Sequence, residues 1–553
     1  MDHSHAEDQL HGAVEIIPSR LYYAPLRAFP ASDDENDSSS STKKKSVHYF
    51  SIDSELIYWN FFLDYGPLNM GQLYRFCAKL NAKLSSVELR DDIVCFYSSD
   101  RGERRINAEM RSNATVLICA YSMIYLGKTL EEAYFGFREE HAEASLRRGG
   151  VPEPPSRNCS LPPRSKRIRG DGPFAKLHPL PPFHDASPIV CTYDLTCYDV
   201  LSGLDKSMKL GFFRYDNAPR PPPTPAENDP SISSAADNDD MSRFHAVKRR
   251  PNPRTFNADE YEYFEQVENG DLNWIVSDKI LAFAGPHMKK VVTPEGFCML
   301  TPADYIPYFL KTKVKLVVRL NKRCYDEGDF ERAGIGHVEH YYLDGSCPPM
   351  GILQSVLADM ESIGDDEAMA VHCKAGLGRT GTCIGAYLMK HYRYTAAQAI
   401  GWMRLCRPGM VIGPQQHFLT EIESLMWQEG EMYRGNGLRS MSIDFDDGEE
   451  EKEDEAPVDL KPVAHTPSNL KAGGVSIVTP EGQPLVLPPT PVEYKLDPAS
   501  AVSSPGLLNL SSEGEGLKFP QAKQPTVERE GDQANALLSR RLEQYQSRKD
   551  VKR

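Results

Sequence analysis

Apolar positions along the chain gather into two regions where strand-like and helix-like periods alternate. The first runs roughly from Ala13 to Phe137 and continues from Phe183 to Phe213; the second runs roughly from Phe256 to Glu429. Such alternation predicts α/β domains with largely parallel sheets. In the second region Val314 to Leu320 and Val338 to Leu343 read as strands, and Ala368 to His372 as a short buried one. Arg379 to Tyr392 reads as a helix. Thr395 to Cys406 reads as another, stopped by Arg407-Pro408-Gly409, and Pro414 to Gln428 as a third with proline in its first turn.

The two regions also share a pattern. Ala120-Tyr121, Thr129, Ala133 and Arg138 recur at the same mutual spacing as Ala386-Tyr387, Thr395, Ala399 and Arg404, each set following an apolar strand and a polar loop. Duplication explains the match, and so does chance alignment of two amphipathic helices of like composition. If the region is duplicated, only the second copy has a nucleophile: the first strand, Ile93 to Phe96, leads into Ser98 to Arg105, which contains no cysteine.

Four stretches interrupt the pattern: Ser32 to Lys45, Glu139 to Pro182, Asn217 to Pro253, and everything after about Gly430. Each is poor in apolar residues and is expected to be mobile. The chain therefore divides into a domain at 12–215 with an insert at 139–182, a second insert at 216–255, a domain at 256–430 and a tail at 431–553, expected to be disordered. The tail carries an acidic run, Asp444 to Glu455, and four Thr-Pro or Ser-Pro pairs at Thr466, Thr479, Thr490 and Ser504. Its last twenty residues, with Leu537, Leu538 and Leu542 among Arg and Gln, predict a short helix.

Composition narrows the function. The longest strongly apolar stretch, Val116 to Leu126, is far short of the roughly 20 residues a bilayer span needs, and Met1 to Leu10 is polar, so no membrane span and no secretory leader is expected. Twelve cysteines without a C-x-x-C pair suggest reduced thiols rather than a metal site or a disulfide framework. A net charge of -15 disfavours nucleic acid as a partner and suits partners carrying Lys or Arg.

Chemistry concentrates in Val371-His372-Cys373-Lys374-Ala375-Gly376-Leu377-Gly378-Arg379-Thr380-Gly381, between a strand and a helix. Five residues separate Cys373 from Arg379, two of them glycine, so the backbone N–H groups of Lys374, Ala375, Gly376, Leu377, Gly378 and Arg379 can converge on one anion beside a helix N-terminus. A phosphate fits there, and the same positive field favours the thiolate of Cys373, which attacks phosphorus. Arg379 offers a planar fork to two phosphoryl oxygens. Thr380 can donate a hydrogen bond to the sulfur, and His372 orients the loop. The leaving oxygen needs a proton from another loop. Asp344, opening Asp344-Gly345-Ser346-Cys347-Pro348-Pro349 after the strand ending at Leu343, is the candidate acid; as a plain turn or cap residue it would have no such role. A chance match to this loop in a chain of this length is below about one in ten thousand. No metal or other cofactor is called for.

The loop resembles that of the cysteine-dependent dual-specificity phosphatases. More narrowly, the chain is similar to the cell-division-cycle-fourteen phosphatases in His48 to Asp53, Asp64 to Asn69, Val267 to Ile275, Val371 to Gly381, and Arg407-Pro408-Gly409 followed by Ile412 to Gln416. The resemblance implies two tandem dual-specificity-phosphatase-like α/β domains, the first inactive, joined by a linker helix near Phe256 to Val267. It supports Asp344 as acid and gives Gln415 a part in placing the hydrolytic water. It further implies substrates phosphorylated on Ser-Pro or Thr-Pro by cyclin-dependent kinases, with a basic residue downstream received by Glu262 and Glu265, whose spacing puts both on one helix face. Cell-cycle control, and a location in nucleus or nucleolus, cytoplasm, and spindle pole or centrosome, follow from the same resemblance.

Other readings compete. Phosphoinositide phosphatases use a similar loop but tend to place a second lysine where this chain has Leu377, leaving Lys374 alone. RNA phosphatases share the chemistry, against which the acidic linker helix counts. A catalytically dead phosphoprotein-binding scaffold would not need Cys373, Arg379, Thr380 and Asp344 together. The basic clusters Arg164 to Arg169 and Lys248 to Arg250 suit nuclear import or mere solubility. Cys347, close in sequence to Asp344, is a candidate for a protective disulfide with Cys373 on oxidation.

Overall fold

Two sheets carry the chain, and in each the central strand is laid down after its neighbours. The computed structural model describes residues 10, 13–26, 46–99, 104–140, 180–216, 254–292, 298–443 and 532–552. In the first half β1 (Val14–Ile17) and β2 (Leu21–Leu26) form an antiparallel hairpin, β3 (Val47–Phe50) follows, and β4 (Ile93–Ser99) inserts between β2 and β3, parallel to both. Helix α1 (Met70–Ser85) precedes β4, and α2 (Arg104–Leu126), α3 (Leu130–Tyr134) and α4 (Cys197–Lys209) come after it.

The second half opens with the short linker helix α5 (Ala258–Phe264) and a 3₁₀ turn at Val267–Asn269. An antiparallel pair, β5 (Leu272–Val276) and β6 (Ile280–Ala284), is followed by a two-stranded ribbon, β7 (Val291–Val292) and β8 (Cys298–Met299). Then come α6 (Pro302–Lys311), β9 (Val314–Arg319), α7 (Gly328–Arg332), β10 (Gly336–Glu339) and α8 (Met350–Glu361). Strand β11 (Ala368–Cys373) inserts between β6 and β9, giving the order β10-β9-β11-β6-β5. All six residues of β11 are buried, as a parallel strand covered on both faces requires. Helices α9 (Gly378–Tyr392), α10 (Ala396–Cys406), α11 (Pro414–Ile443) and α12 (Asp532–Lys552) complete the described chain.

The two sheets repeat one plan. With β1 and β2 matched to β5 and β6, β3 to β9 and β4 to β11, the strand orders coincide, and β10 is an added edge. Thr129 and Thr395, singled out by their spacing, are both N-caps closed by a reciprocal bond, with Glu132 and Gln398. Shared topology favours duplication over chance.

The halves share one continuous apolar core. Their closest contact is between α4 and α10, where Gly203 faces the backbone of Gln398 and Trp402 and a Cβ on Gly401 would lie 2.8 Å from Val200 Cα. Glycine at both positions lets the helix backbones approach to where side chains would collide. Polar bonds then fix the pair: Gln398 Nε2 donates to Ser202 Oγ at 2.8 Å, and Ser207 Oγ and Tyr394 Oη lie 2.7 Å apart.

Three expectations need correction. The strand read at Val338 to Leu343 ends at Glu339, because Tyr342 turns its carbonyl to Arg379 at 2.9 Å instead of continuing the ladder. The insert read at 139–182 begins later and ends earlier: Phe135–Glu140 is a 3₁₀ turn, and Tyr65 holds the Pro181 carbonyl at 2.8 Å. The tail read as disordered from 431 is helical to Ile443 and again at α12, where Leu537 and Leu542 find apolar cover. Most of both inserts, and 444–531 with all four Thr-Pro and Ser-Pro pairs, lie outside the described residues.

Gly401→Leu is expected to force α4 and α10 apart and lower stability by about 1–3 kcal/mol, read as a fall in Tm; an unchanged Tm would contradict the close crossing.

Candidate active site

Strand β11 delivers Cys373 to the C-terminal edge of its sheet, and the loop to α9 then wraps round a single point. Each loop carbonyl is bonded to something outside that point. Cys373 O accepts from His372 Nδ1 at 2.9 Å, Lys374 O from Gly285 N at 3.0 Å, Ala375 O from Arg407 Nη2 at 2.9 Å and Gly376 O from Arg407 Nε at 2.9 Å. Leu377 O accepts from Gly381 N at 2.9 Å, and Gly378 O from Thr382 Oγ1 at 2.9 Å. In a trans peptide the N–H points opposite to the C=O. Outward carbonyls therefore aim the N–H groups of Lys374 to Arg379 inward, beside the N-terminus of α9, as an anion nest. Gly376 makes the curl possible: its φ is 67°, and any side chain would strike the Phe283 carbonyl.

Behind the loop His372 is completely buried, with Nε2 2.7 Å from Tyr325 Oη, which lies 2.8 Å from His337 Nε2. Since His372 Nδ1 faces a carbonyl it must donate, so Nε2 accepts from Tyr325 and the tyrosine oxygen accepts from His337. Burial lowers the pKa of His372 to about 3 and that of His337 to about 4, so both stay neutral and the chain of bonds is fixed in direction. His372 thus orients the loop, as its position beside Cys373 suggested.

Cys373, 3% exposed, lines a narrow cleft together with Asp344, Ala375, Gly378 and Gln415. Arg379 is held by the Tyr342 carbonyl and pairs with Asp344 Oδ1 at 3.0 Å, while its buried Nε is unpaired among the described residues, a donor suited to an oxyanion. Gln415 accepts from Ile412 N at 3.1 Å and donates to Ser346 O at 3.1 Å, tying the Asp344 loop to the turn that precedes α11. The first half steadies this corner, since Asp185 accepts from Gly413 N at 2.6 Å. Thr380 is buried, but its hydroxyl has no hydrogen-bond partner among the described residues, so the expected bond to sulfur is not made in this structure. The carbonyl four residues back, which a helical threonine commonly uses, is taken by Arg407.

Glu262 and Glu265 do not join Cys373 in the cleft. Glu262 forms a two-pronged pair with Arg75 at 2.8 and 3.0 Å, and Glu265, 7% exposed, accepts from Asn69 at 3.0 Å. Cys347 is half-buried, with its thiol pushed up by burial, and is not among the residues lining the Cys373 cleft.

Two residues in the site's machinery escaped the sequence reading. Arg407, read as part of a helix stop and of a stretch that carries the resemblance but given no role, is fully buried and supports two loop carbonyls while also binding Asp271 O at 2.9 Å, Asp271 Oδ1 at 2.8 Å and Asn273 Oδ1 at 2.8 Å. Asp271, with φ of 45°, carries its carboxylate into this network. Its place after Gly270, in a stretch quoted only for resemblance, was the available signal.

Each half of the chain resembles a known phosphatase family in sequence. Residues 15–147 match the family model of the dual specificity protein phosphatase, N-terminal half, and 299–393 match that of a polymorphic toxin system DSP-PTPase phosphatase. Dual specificity protein phosphatase CDC14A of Mus musculus is 39% identical over 426 residues, 77% of this chain and 55% of that protein. CDC14C of Homo sapiens is 37% identical over 419 residues, 76% of this chain and 72% of that protein. The chain thus spans little more than half the length of the mouse relative. Among solved structures, PTPMT1 aligns with 29% of this chain and 99% of its own at 19% identity, with a TM-score of 0.25.

Two outcomes are expected of this network. Arg407→Lys cannot reach both carbonyls and should weaken binding of a phosphate-like oxyanion such as tungstate by about 10-fold or more, since each lost charged hydrogen bond costs about 1.5–3 kcal/mol; unchanged affinity in a calorimetric titration would contradict the buttress. Because buried His372 and half-buried His337 have pKa values below the ordinary 6.5, their contribution is complete above pH 6.5 and is lost as pH falls toward 4 and then 3. Tm should decline through that window, and less steeply in His337→Gln; parallel profiles would contradict it.

Proposed function

Because this chain belongs to the CDC14 family of dual-specificity phosphatases, we propose that it hydrolyses phosphate esters on protein side chains through a phosphocysteine at Cys373. The observation that carries the reading is the outward bonding of every loop carbonyl from Cys373 to Gly378, which makes the loop an oxyanion receptor with a thiol at its base.

The phosphoryl oxygens take the inward N–H groups and the Arg379 fork. The Cys373 sulfur attacks phosphorus, the ester P–O bond breaks, and Asp344 gives its proton to the departing oxygen. Arg379 now grips Asp344; once the guanidinium turns to a phosphate dianion, the carboxyl is freed to face the leaving oxygen. Water then attacks the phosphocysteine, the S–P bond breaks to restore the thiolate, and Asp344 recovers a proton from the water. Gln415, which lines the cleft and is held by Ile412 and Ser346, orients that water.

The preferred substrates are phosphoserine and phosphothreonine before proline, with phosphotyrosine also accepted, at cyclin-dependent kinase sites with a basic residue downstream. Glu262 pairs with Arg75, Glu265 with Asn69 and Asp271 with Arg407; the base is assigned to Asp271 because it also takes a second guanidinium of the chain, at 2.7 Å. Leu377, fully buried, adds no charge to the loop, which favours singly phosphorylated protein over phosphoinositide. A role in cell-cycle control, acting in the nucleus or nucleolus, the cytoplasm and at spindle poles or centrosomes, rests on family membership alone.

The deciding experiment compares kcat/KM on a phosphoserine-Pro peptide with and without a downstream Lys, on a phosphotyrosine peptide and on a phosphoinositide, with Cys373→Ser as the inactive control. The Lys peptide should lead by about 10-fold, worth about 1.4 kcal/mol. Asp344→Asn should lower kcat by about 10²–10⁴. The Lys advantage should vanish in Asp271→Asn and persist in Glu262→Gln and Glu265→Gln. A phosphoinositide turned over fastest, or no turnover at all, would sink the reading.

A further inference from the structure

Helix α12 is not a free end. Leu537, 3% exposed, lines the cleft that holds Cys373 and Gln415, and Asn535 accepts a hydrogen bond from Lys374 Nζ in the phosphate loop. One turn further on Arg541, 4% exposed, pairs with Asp271 Oδ1 at 2.7 Å and lies over the Phe61 ring at 6.0 Å. Arg540 lies over Phe62 at 5.7 Å, and Leu542 packs against Val267 and Met299.

These contacts come from both halves of the molecule. Phe61 and Phe62 belong to the first; Asp271, Val267, Met299 and Lys374 belong to the second. The receiving groove is therefore the seam between them, running from the acidic network of Arg407 to the nucleophile. Leu537 and Arg541 are spaced four apart, so one face of the helix places an apolar plug at the cysteine and a cation at the acid.

We propose that α12 is a cis-acting competitive inhibitor, which docks in the seam and shuts the Cys373 cleft with Leu537 while Arg541 occupies the carboxylate available to a substrate's downstream base. This deepens the phosphatase reading and rests on it. A phosphorylated side chain must reach a sulfur that Leu537 now helps to bury, so substrate and helix exclude each other. A substrate bearing a base competes at both ends of the seam, and its base then helps to open the site as well as to bind. Competition of this kind multiplies apparent affinity by the fraction of molecules with the helix undocked and leaves saturated turnover unchanged.

The test uses the full chain with Leu537→Glu and Arg541→Glu, and Ser539→Ala, on the exposed face, as control. Leu537→Glu should lower KM for the phosphoserine-Pro-Lys peptide and for a small aryl phosphate by about 10-fold at unchanged kcat, corresponding to a docking bias of about 1.4 kcal/mol. Arg541→Glu should act in the same direction, and the control should match the parent. Alkylation of Cys373 by iodoacetamide, followed by mass spectrometry of the cysteine peptide, should quicken in parallel. A synthetic peptide of residues 531–553 added to Leu537→Glu should restore the high KM. Unchanged KM and alkylation, a fall in kcat in Leu537→Glu, or a peptide without effect would overturn the proposal. Alkylation that quickens in a chain that turns over no phosphoester would uphold the plug and refute the phosphatase reading, so the two failures are separable.

Discussion

The structure depends on where six carbonyl oxygens point. A loop that curls round an anion must dispose of its own acceptors, and here each one from Cys373 to Gly378 is bonded away from the centre by a side chain or backbone group. Arg407 does the largest share, because its fork reaches two consecutive carbonyls and its remaining donors lock onto Asp271 and Asn273. A buried guanidinium is costly unless its donors are satisfied. Bonding to loop carbonyls on one side and to a carboxylate on the other meets that condition. The nest is thereby preorganised before any substrate arrives, which is where an oxyanion site gains most of its effect.

The rest of the fold serves that loop at increasing distance. Strand β11, buried on both faces, sets the position of Cys373, and the neutral His372-Tyr325-His337 chain holds the peptide that carries it. The first half repeats the topology without a cysteine at the corresponding strand end among its described residues, and contributes from outside. Asp185 holds the start of α11 and hence Gln415, α4 locks onto α10, and Phe61 lies against Gly409 beside the Arg407 turn. One half holds the cysteine loop, and the other forms a wall of the seam beside it.

What the sequence reveals follows the range of the interactions. The Cys373–Arg379 loop and the Thr129 and Thr395 caps depend on residues a few positions apart, so spacing alone exposed them, and the doubled plan with them. Arg407 makes its decisive bonds to Gly376 and Asp271, far away in sequence, and next to Pro408 it looks like nothing more than a helix stop. Tyr341 to Leu343 continue the apolar alternation of a strand, yet the chain leaves the sheet there because Arg379 claims the Tyr342 carbonyl. The spacing of Glu262 and Glu265 put both on one helix, whereas Glu265 is the C-cap residue just past the end of α5, and only the fold could show Arg75 and Asn69 waiting for them. Helix α12 was legible as a helix; its docking was not, since its apolar positions answer a groove assembled from both halves.

The central claim is that Cys373 forms a covalent bond to phosphorus within this nest. Rapid acid quenching of the full chain during turnover of a phosphoserine-Pro peptide, followed by mass spectrometry of the fragment containing Cys373, tests it most directly. The account predicts a phosphate adduct on that cysteine, lost on longer incubation and absent from Cys373→Ser. Turnover with no adduct on Cys373, or with the adduct on another residue, would contradict it.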